Sequence, residues 1–296
     1  KHKERKEAAE KWYNEFVTKP FRPSYADKNS VLKFNKSKFI YDIRNKLKFK
    51  NLYLTFKRRK VDYRLGKKLS KVDIIKSKVS ESLRRKVLKR SRLLNANPDM
   101  SLPFIYLPLH FTPEISDRIY GDMYDHHEGF IYQIAKRMPS DYLLYVKEHT
   151  SMLGRRSLSF YKKISKFFNI QLIHPAVDTF DLIKNSKAVL TVTGTAGWEA
   201  YIFGKPSIVL GDVFYNFLPG VLHIDLDRDF TRKVEQYISN FTPDNEEIKN
   251  AVLSWFLATF DCKKGDFGFD FSEDEAKDNA VKFSKAVDSF LYAKNT

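Results

Sequence analysis

The sequence contains one cysteine, Cys262, in 296 residues, so it cannot form a disulfide bond within the chain. It also lacks any apolar run near the roughly 18 to 20 residues that a membrane-spanning helix requires. Its first residues include neither an initiator methionine nor the apolar stretch of a signal peptide, and we expect the chain to begin inside a longer protein. These absences argue against a disulfide-stapled secreted domain and favour a reducing, cytoplasmic compartment.

Apolar residues are abundant enough for a folded core, since 43% of the chain is hydrophobic and 15% is aromatic. The net charge of +17 is unevenly distributed, because residues 1–100 contain 31 Lys and Arg against 10 Asp and Glu. The rest of the chain is slightly acidic. We therefore predict a basic, mainly helical segment over 1–97, ending at Asn97-Pro98, and a globular domain over 98–296.

Two helices are predicted in the basic segment, over residues 1–18 and 67–94. The second has apolar residues near helical spacing among many cations; they are Leu69, Val72, Ile75, Val79, Leu83, Val87 and Leu94. Such a basic amphipathic helix could lie on an anionic membrane surface, bind nucleic acid, or pack on another part of the protein. These alternatives remain open from the pattern alone.

After Pro98, strand and helix patterns alternate. Strands are predicted at 103–109, 141–147, 170–173, 188–192, 206–210 and 221–224, and helices at 124–137, 157–168, 180–185, 198–203, 228–240, 244–259 and 273–292. Short strands separated by helices are typical of a parallel sheet with helices on both faces. The sequence therefore predicts an α/β, Rossmann-like domain.

The stretch from 188 to 211 is the clearest strand, turn, helix and strand unit. Thr193, Gly194, Thr195, Ala196 and Gly197 form its turn, which offers two hydroxyls and several backbone N–H groups with few obstructing side chains. An anion binds readily to such a turn at a helix N-terminus. Gly204 is predicted at the left-handed position that ends the helix.

Polar side chains follow each of the first four strands, where a doubly wound sheet binds its ligands. They are His110, Thr112 and Glu114, then Lys147, Glu148, His149, Thr150, Arg155 and Arg156, then His174, and finally 193–197 with Glu199. Lys147, His149 and Arg155 together with a helix N-terminus suit a phosphate or pyrophosphate. For each residue alone a loop or surface role is the better explanation, but their joint placement at one sheet edge favours a binding site.

Other catalytic signatures are missing from the sequence. It has no GxxxxGK[ST] loop, no GxGxxG after the first strand, no HExxH, no CxxC pair and no GxSxG. His126-His127 lacks ligand companions at metal spacing, and we predict no metal site. The DxD matches, Asp225-Leu226-Asp227 and Asp227-Arg228-Asp229, precede a predicted helix start, where capping explains them.

In these motifs the sequence resembles the capsule polysaccharide biosynthesis family, the GT-B glycosyltransferases that include bacterial Kdo transferases of capsule assembly. The resemblance spans about Pro103 to Tyr215 and rests on YLPLHFTPE (106–114), YVKEHTSMLGRR (145–156), LIHP (172–175) and TVTGTAGWEAYIFGKPSIVLGDVFY (191–215). It implies a C-terminal nucleotide-binding half of a GT-B fold. It also implies a nucleotide-sugar donor, often a CMP-sugar, and transfer to a glycan or glycolipid acceptor at the cytoplasmic face of the membrane.

The motifs are also similar to bacterial sialyltransferases of this fold, whose His-Pro motif and Ser/Thr pair hold the CMP phosphate. His149 matches the histidine, and Thr193 and Thr195 match the hydroxyl pair. Thr150 stands where that motif has proline, and no N-terminal Rossmann domain is recognisable in 1–100.

These matches give a metal-independent glycosyltransferase with a CMP-sugar such as CMP-Kdo as donor substrate and no cofactor. His149, Lys147, Arg155 and 193–197 are expected at the phosphate, Glu199 at the ribose, and His110 and Glu114 near the transferred sugar. The alternatives are glycerophosphate transfer from CDP-glycerol and a non-catalytic basic module. For the leading interpretation we expect no nucleic-acid partner and, through the basic segment, peripheral contact with an anionic membrane surface.

Overall fold

The computed structural model describes residues 2–21, 71–110, 127–259 and 273–292. The order of elements is α1 (His2–Thr18), α2 (Lys71–Arg90), β1 (Phe104–Pro108), α3 (His127–Arg137), β2 (Leu143–Lys147), α4 (Leu158–Ile164), β3 (Ile170–Ile173), α5 (Thr179–Asn185), β4 (Ala188–Thr191), α6 (Thr195–Ile202), β5 (Ser207–Val209), β6 (Val221–His223), α7 (Phe230–Asn240), α8 (Asn245–Ala258) and α9 (Glu273–Tyr292). A short 3₁₀ helix, Thr150–Met152, follows β2. Each predicted strand and helix has a counterpart within the described residues, but α2, α4 and α7 end or begin short of the predicted bounds and α6 begins earlier.

The six strands form one parallel sheet in the order β3-β2-β1-β4-β5-β6. This is the strand order of a Rossmann fold, and it confirms the predicted class. The chain moves outward from β1 to β3, then returns to the centre and moves the other way from β4 to β6. Because parallel crossovers are right-handed, the two halves place their helices on opposite faces. α3 contacts α4 and α5 contacts α6.

The central strands β1 and β4 are almost continuously apolar because both faces of the sheet are covered there. β4 is buried at every position, and Ile105, Leu144, Val146 and Ile208 are almost completely buried in the main core. Beyond β3 the chain adds one more bridge, in which Asn95 pairs with Ile173. This bridge satisfies backbone groups that an edge strand would otherwise leave unpaired.

The chain divides into two compact units, one comprising 1–20 and 244–296 and the other 21–243. In the first, α1 packs on α8, with Trp12 stacked on Phe16 and 6.0 Å from the ring of Phe256. The second contains the sheet. The boundary predicted between 97 and 98 stays a prediction from the sequence.

Within the described ranges, no helix is both long and apolar enough to cross a bilayer.

Candidate functional site

The strand order creates a crevice between β1 and β4, because the chain leaves these two neighbouring strands in opposite directions. Ligands of open α/β sheets bind at this position, outside the carboxyl ends of the strands. His110 follows β1 and Thr191 ends β4, and the two meet there, with Thr191 Oγ1 3.5 Å from His110 Nε2. Thr191 Oγ1 also accepts a hydrogen bond from the backbone N–H of Gly194, at 3.0 Å.

Gly194 is the N-cap of α6, and the close packing around it requires a glycine. A Cβ atom at this position would lie 2.6 Å from Thr191 Oγ1 and 2.9 Å from His110 Cε1. As a glycine, Gly194 supplies no side-chain acceptor to the first N–H groups of the helix. The N-terminus of α6 is therefore available to an anion in the crevice.

α6 begins three residues earlier than predicted, which corrects part of the sequence interpretation. Thr195, Ala196 and Gly197 form its first turn, because the extended backbone of Gly194 already places the cap there. Gly197 is buried, and a Cβ atom on it would lie 2.5 Å from Tyr215 Oη. Gly204 ends the helix region with a φ of 63°, as its position in the sequence predicted.

The hydroxyls of the predicted pair differ in their surroundings. Thr193 Oγ1 is buried and has no hydrogen-bond partner within the described part of the chain. The exposed Thr195 hydroxyl lies 3.5 Å from Glu199 Oε1, one turn into α6. An unsatisfied buried hydroxyl is unfavourable in the ligand-free protein and can be compensated by an acceptor that arrives with a ligand.

His149 is an exposed residue that follows β2 and caps the 3₁₀ helix, where its Nδ1 accepts from the N–H of Ser151 at 3.2 Å. This contact assigns the proton of the neutral ring to Nε2. Although the residue as a whole is exposed, partial shielding of its ring from water lowers the pKa of His149, and the charges of Lys147, Arg156 and Arg155 lower it further. At neutral pH the ring is thus a neutral donor through Nε2.

The other predicted cations make contacts of their own. Lys147 is buried and donates from Nζ to Thr179 Oγ1 at 2.6 Å. Arg155 Nε lies 3.7 Å from the carboxylate of Glu81 in α2. The structure therefore brings both cations near His149 but engages each with a protein partner. Glu114 lies outside the described residues.

Four residues that the sequence interpretation did not select as site residues form hydrogen bonds at this edge. Glu148 is 2% exposed and accepts from Arg156 Nε and from the hydroxyl of Tyr161, both at 2.8 Å. Burial and the charge of Glu148 raise the pKa of Tyr161, which stays protonated as a donor. The fourth residue is Tyr215, which donates to the carbonyl of Gly194 and whose pKa burial also raises. Glu148 and Arg156 were among the polar residues that follow β2 in the sequence, whereas the sequence pattern did not single out Tyr161 or Tyr215.

Helix α2 packs against the loop that carries His149 and Arg156. Arg84 Nε donates to the carbonyl of Gly154 at 2.8 Å, and Arg85 Nε donates to that of Leu153 at 3.1 Å. Gly154 has a φ of 84°, and a Cβ atom there would lie 2.6 Å from the carbonyl oxygen of Glu81. One side of the basic helix is thus fixed to the domain.

Two surface cavities in the described part of the protein are lined by residues other than the site residues named above. One, of about 370 Å³, includes Tyr132 and Phe167, and the other, of about 550 Å³, lies between residues 91–96 and β3. In addition, no group of three or more potential metal ligands occurs among the described residues. The prediction of a metal-independent site stays a prediction.

Comparison with known proteins gives matches over the same region. The model of a family described as capsule polysaccharide biosynthesis protein matches residues 51–236. The capsule polysaccharide export protein KpsS of Escherichia coli is 29% identical over 120 residues, which are 38% of this chain and 31% of that protein. Protein FixF of Sinorhizobium fredii (strain NBRC 101917 / NGR234) is 27% identical over 178 residues, 57% of this chain and 40% of FixF.

Among solved structures, the beta Kdo 2,7 transferase of Thermosulfurimonas dismutans KpsC aligns with a TM-score of 0.39 at 16% identity, covering 73% of this chain and 64% of that one. The chain spans 31% and 40% of the lengths of the two curated relatives above.

Proposed function

This chain belongs to the capsule polysaccharide biosynthesis protein family, and from that premise we propose that it is a glycosyltransferase that uses a nucleotide-activated sugar. Its product is a glycan or glycolipid of the capsule or another surface polysaccharide. The donor is a substrate, and the reaction needs no metal and no cofactor. Its sheet corresponds to the C-terminal, nucleotide-binding half of a GT-B enzyme.

The observation that supports this proposal is the meeting of His110, Thr191 and the uncapped N-terminus of α6 at the crevice between β1 and β4. A helix N-terminus carries partial positive charge and free N–H donors, which suit a phosphate group. The buried hydroxyl of Thr193, which has no hydrogen-bond partner among the described residues, supplies a further donor of the kind a phosphate oxygen accepts. These features together fit the phosphate of a nucleotide better than they fit an uncharged ligand.

In the transfer step, the bond between the anomeric carbon and the phosphate oxygen breaks, and the acceptor hydroxyl oxygen bonds to that carbon and loses its proton. Negative charge therefore grows on the nucleotide phosphate that leaves. The N–H groups of α6 and the Nε2–H of His149 stabilise this charge, and Lys147 and Arg155 add positive potential around it. His110 and Glu114 are assigned to the neighbourhood of the transferred sugar, and Glu199 to the ribose.

We favour a CMP-sugar such as CMP-Kdo as donor, since the family membership and the match of His149 to a CMP-binding histidine both favour cytidine nucleotides. CDP-glycerol is the alternative donor, because it presents the same base and a phosphate to the same edge. Competition between CMP-Kdo and CDP-glycerol for one site separates the two.

The exposed side of α2 supports peripheral contact with an anionic membrane, which would keep a cytoplasmic enzyme close to a lipid-linked acceptor. Val79, Leu83 and Val87 are 54%, 57% and 48% exposed, and they recur every four residues. Exposed cations on the same side are Lys76, Lys86 and Arg90. Aliphatic side chains interleaved with cations are typical of helices that lie in the plane of an anionic bilayer.

Calorimetric titration of the chain with CMP, CDP, UDP and GDP tests the donor site. We expect cytidine nucleotides to bind most tightly and CMP-Kdo to compete with CMP. The release of CMP from CMP-Kdo in the presence of glycan acceptors then measures transfer. Absence of binding by all four nucleotides would refute the proposal.

A further inference from the structure

Glu148 is a buried carboxylate beside the proposed donor site to which the proposed function assigns no role. Its side chain is 1% exposed and accepts three hydrogen bonds, each of 2.8 Å, from the N–H of His149, from Arg156 Nε and from the hydroxyl of Tyr161. Both carboxylate oxygens are engaged, one by His149 and the other by Arg156 and Tyr161. The carboxylate is thus held in a single orientation.

Arg156 extends this network to the neighbouring strand. While Nε donates to Glu148, Nη2 donates to the backbone carbonyl of His110 at 3.0 Å. The guanidinium group is rigid and planar, so the positions of its two acceptors are fixed relative to each other. Through this one side chain, the segment after β2 is joined to the segment after β1.

The far end of the network reaches the crevice. The ring of His110 lies against Thr191 Oγ1 and against the space where a Cβ atom on Gly194 would be. A displacement of the His110 backbone would therefore change the packing at the N-cap of α6. At the other end, Glu148 holds the backbone N–H of His149, the residue whose Nε2 faces the ligand in the proposed function.

Stability alone is a poor explanation for this arrangement. A buried ion pair loses the hydration of both ions, and well-packed apolar residues of similar volume often stabilise a protein equally well or better. Directional hydrogen bonds to His149 N–H and to the His110 carbonyl are what apolar residues cannot supply.

We propose that Glu148 is a positioning residue that fixes His149 directly and His110 through Arg156. This inference rests on the proposed donor site at the edge of β1 and β4. Residues that support a reacting group in this way act on geometry, and a misplacement of about 1 Å at such a group can lower the rate about 10²-fold.

Glu148→Gln tests the inference, with Tyr161→Phe as the matched control. Glutamine keeps the shape and one acceptor oxygen, but its NH₂ group faces one of the donors and its neutral amide cannot form the ion pair with Arg156. Tyr161→Phe removes one hydrogen bond from the same carboxylate and leaves Arg156 and His149 in place. Three quantities are measured for each variant: imidazole NMR chemical shifts without ligand, CMP affinity, and kcat and KM for CMP release.

In Glu148→Gln we expect the imidazole signals of His110 and His149 to shift, those of His174 to stay, and kcat to fall about 10²-fold or more. In Tyr161→Phe we expect unchanged imidazole signals and turnover within about twofold of the unaltered protein. This holds even if its melting temperature falls as far as that of Glu148→Gln. Arg156→Lys provides a second variant, since one amino group cannot span Glu148 and the His110 carbonyl. It should move the His110 signals more than those of His149.

Unchanged His110 and His149 signals in both Glu148→Gln and Arg156→Lys would overturn the inference. The inference would also be overturned if Glu148→Gln and Tyr161→Phe lost turnover equally and in parallel with their melting temperatures. A purely structural role of Glu148 predicts that pattern. If the unaltered chain binds no nucleotide, the proposed function fails, and the ligand-free imidazole signals still decide whether Glu148 positions the two histidines.

Discussion

Thr191 Oγ1 lies 3.5 Å from His110 Nε2 and accepts a hydrogen bond from the N–H of Gly194, so it joins the ends of β1 and β4 to the start of α6. The hydroxyl of Thr191 is thereby engaged by groups of the protein. Thr193, two residues later, has a buried hydroxyl that no described residue hydrogen-bonds. The two threonines therefore have separable roles, one in the architecture of the crevice and one in ligand binding.

Thr193→Val should weaken CMP binding while leaving the fold at least as stable. Valine has nearly the same shape and removes a buried hydroxyl without a partner, whereas a lost hydrogen bond to a charged phosphate costs about 1.5–3 kcal/mol of binding free energy. Calorimetry and urea denaturation measure the two effects.

Thr191→Val is the matched control, and in urea denaturation it should be less stable than the unaltered protein, unlike Thr193→Val. It leaves the N–H of Gly194 without its acceptor and should lower the free energy of unfolding by about 1–3 kcal/mol. CMP affinity equal to that of the unaltered protein in Thr193→Val would remove Thr193 from the binding site.

His149→Asn should abolish transfer with little loss of stability. Asparagine is a favourable cap and can replace Nδ1 as acceptor for the N–H of Ser151, but it has no donor at the position of Nε2. We expect CMP release to fall about 10²-fold or more. His149→Ala should show the same loss of rate and, in addition, a cap loss of about 1 kcal/mol in unfolding free energy.

His174→Asn is the corresponding control, because His174 Nδ1 accepts from the N–H of Ala176 in the same way at 3.1 Å. It should retain normal turnover. A His149→Asn variant with an unchanged rate and a lowered melting temperature would show that His149 serves the loop alone.

Stability should fall as the pH is lowered through about 6.5, the ordinary pKa of histidine. Partial burial lowers the pKa of both histidines. The nearby cations lower the pKa of His149 further, and the charges of Lys89 and Lys147 do the same for His174. Below this ordinary pKa the unfolded chain binds protons that the folded protein does not. The contribution of the two histidines to the free energy of unfolding is therefore complete above this pH and is lost as the pH falls below it.

Urea denaturation between pH 8 and pH 5.5 measures this dependence. Substitution of asparagine for either histidine should flatten the curve, since each variant lacks one group whose pKa differs between the two states. A curve for His149→Asn parallel to that of the unaltered protein would contradict the lowered pKa of His149.

The chain should bind vesicles containing phosphatidylglycerol and not vesicles of phosphatidylcholine, and added salt should weaken this binding. The double substitution Leu83→Gln with Val87→Gln should lower the affinity about tenfold or more, since full burial of each such side chain contributes about 1.5–3 kcal/mol. Co-sedimentation measures the bound fraction.

Phe168→Gln is the control, because Phe168 is 98% exposed in the sheet-containing unit and lies outside α2. It should leave vesicle binding unchanged. Equal binding by the double variant would exclude the exposed side of α2 as the membrane contact.

The sequence by itself determined the local elements and the sheet edge where polar groups gather. Continuous apolar runs identified β1 and β4 because both faces of a parallel sheet are buried, and Gly204 marked the end of the α6 region because glycine adopts a positive φ without strain. The polar side chains that follow the strands were predictable as one group, since parallel strands end at one edge.

Only the tertiary structure decided which of these side chains meet. Strand order places β1 beside β4, so His110 contacts Thr191, which the sequence interpretation had not selected. Of two adjacent arginines, Arg155 faces Glu81 in α2 and Arg156 pairs with the buried Glu148. Hydrophobic periodicity encodes burial along one element, but contacts between elements depend on strand order, register and the direction of each side chain, which periodicity does not specify.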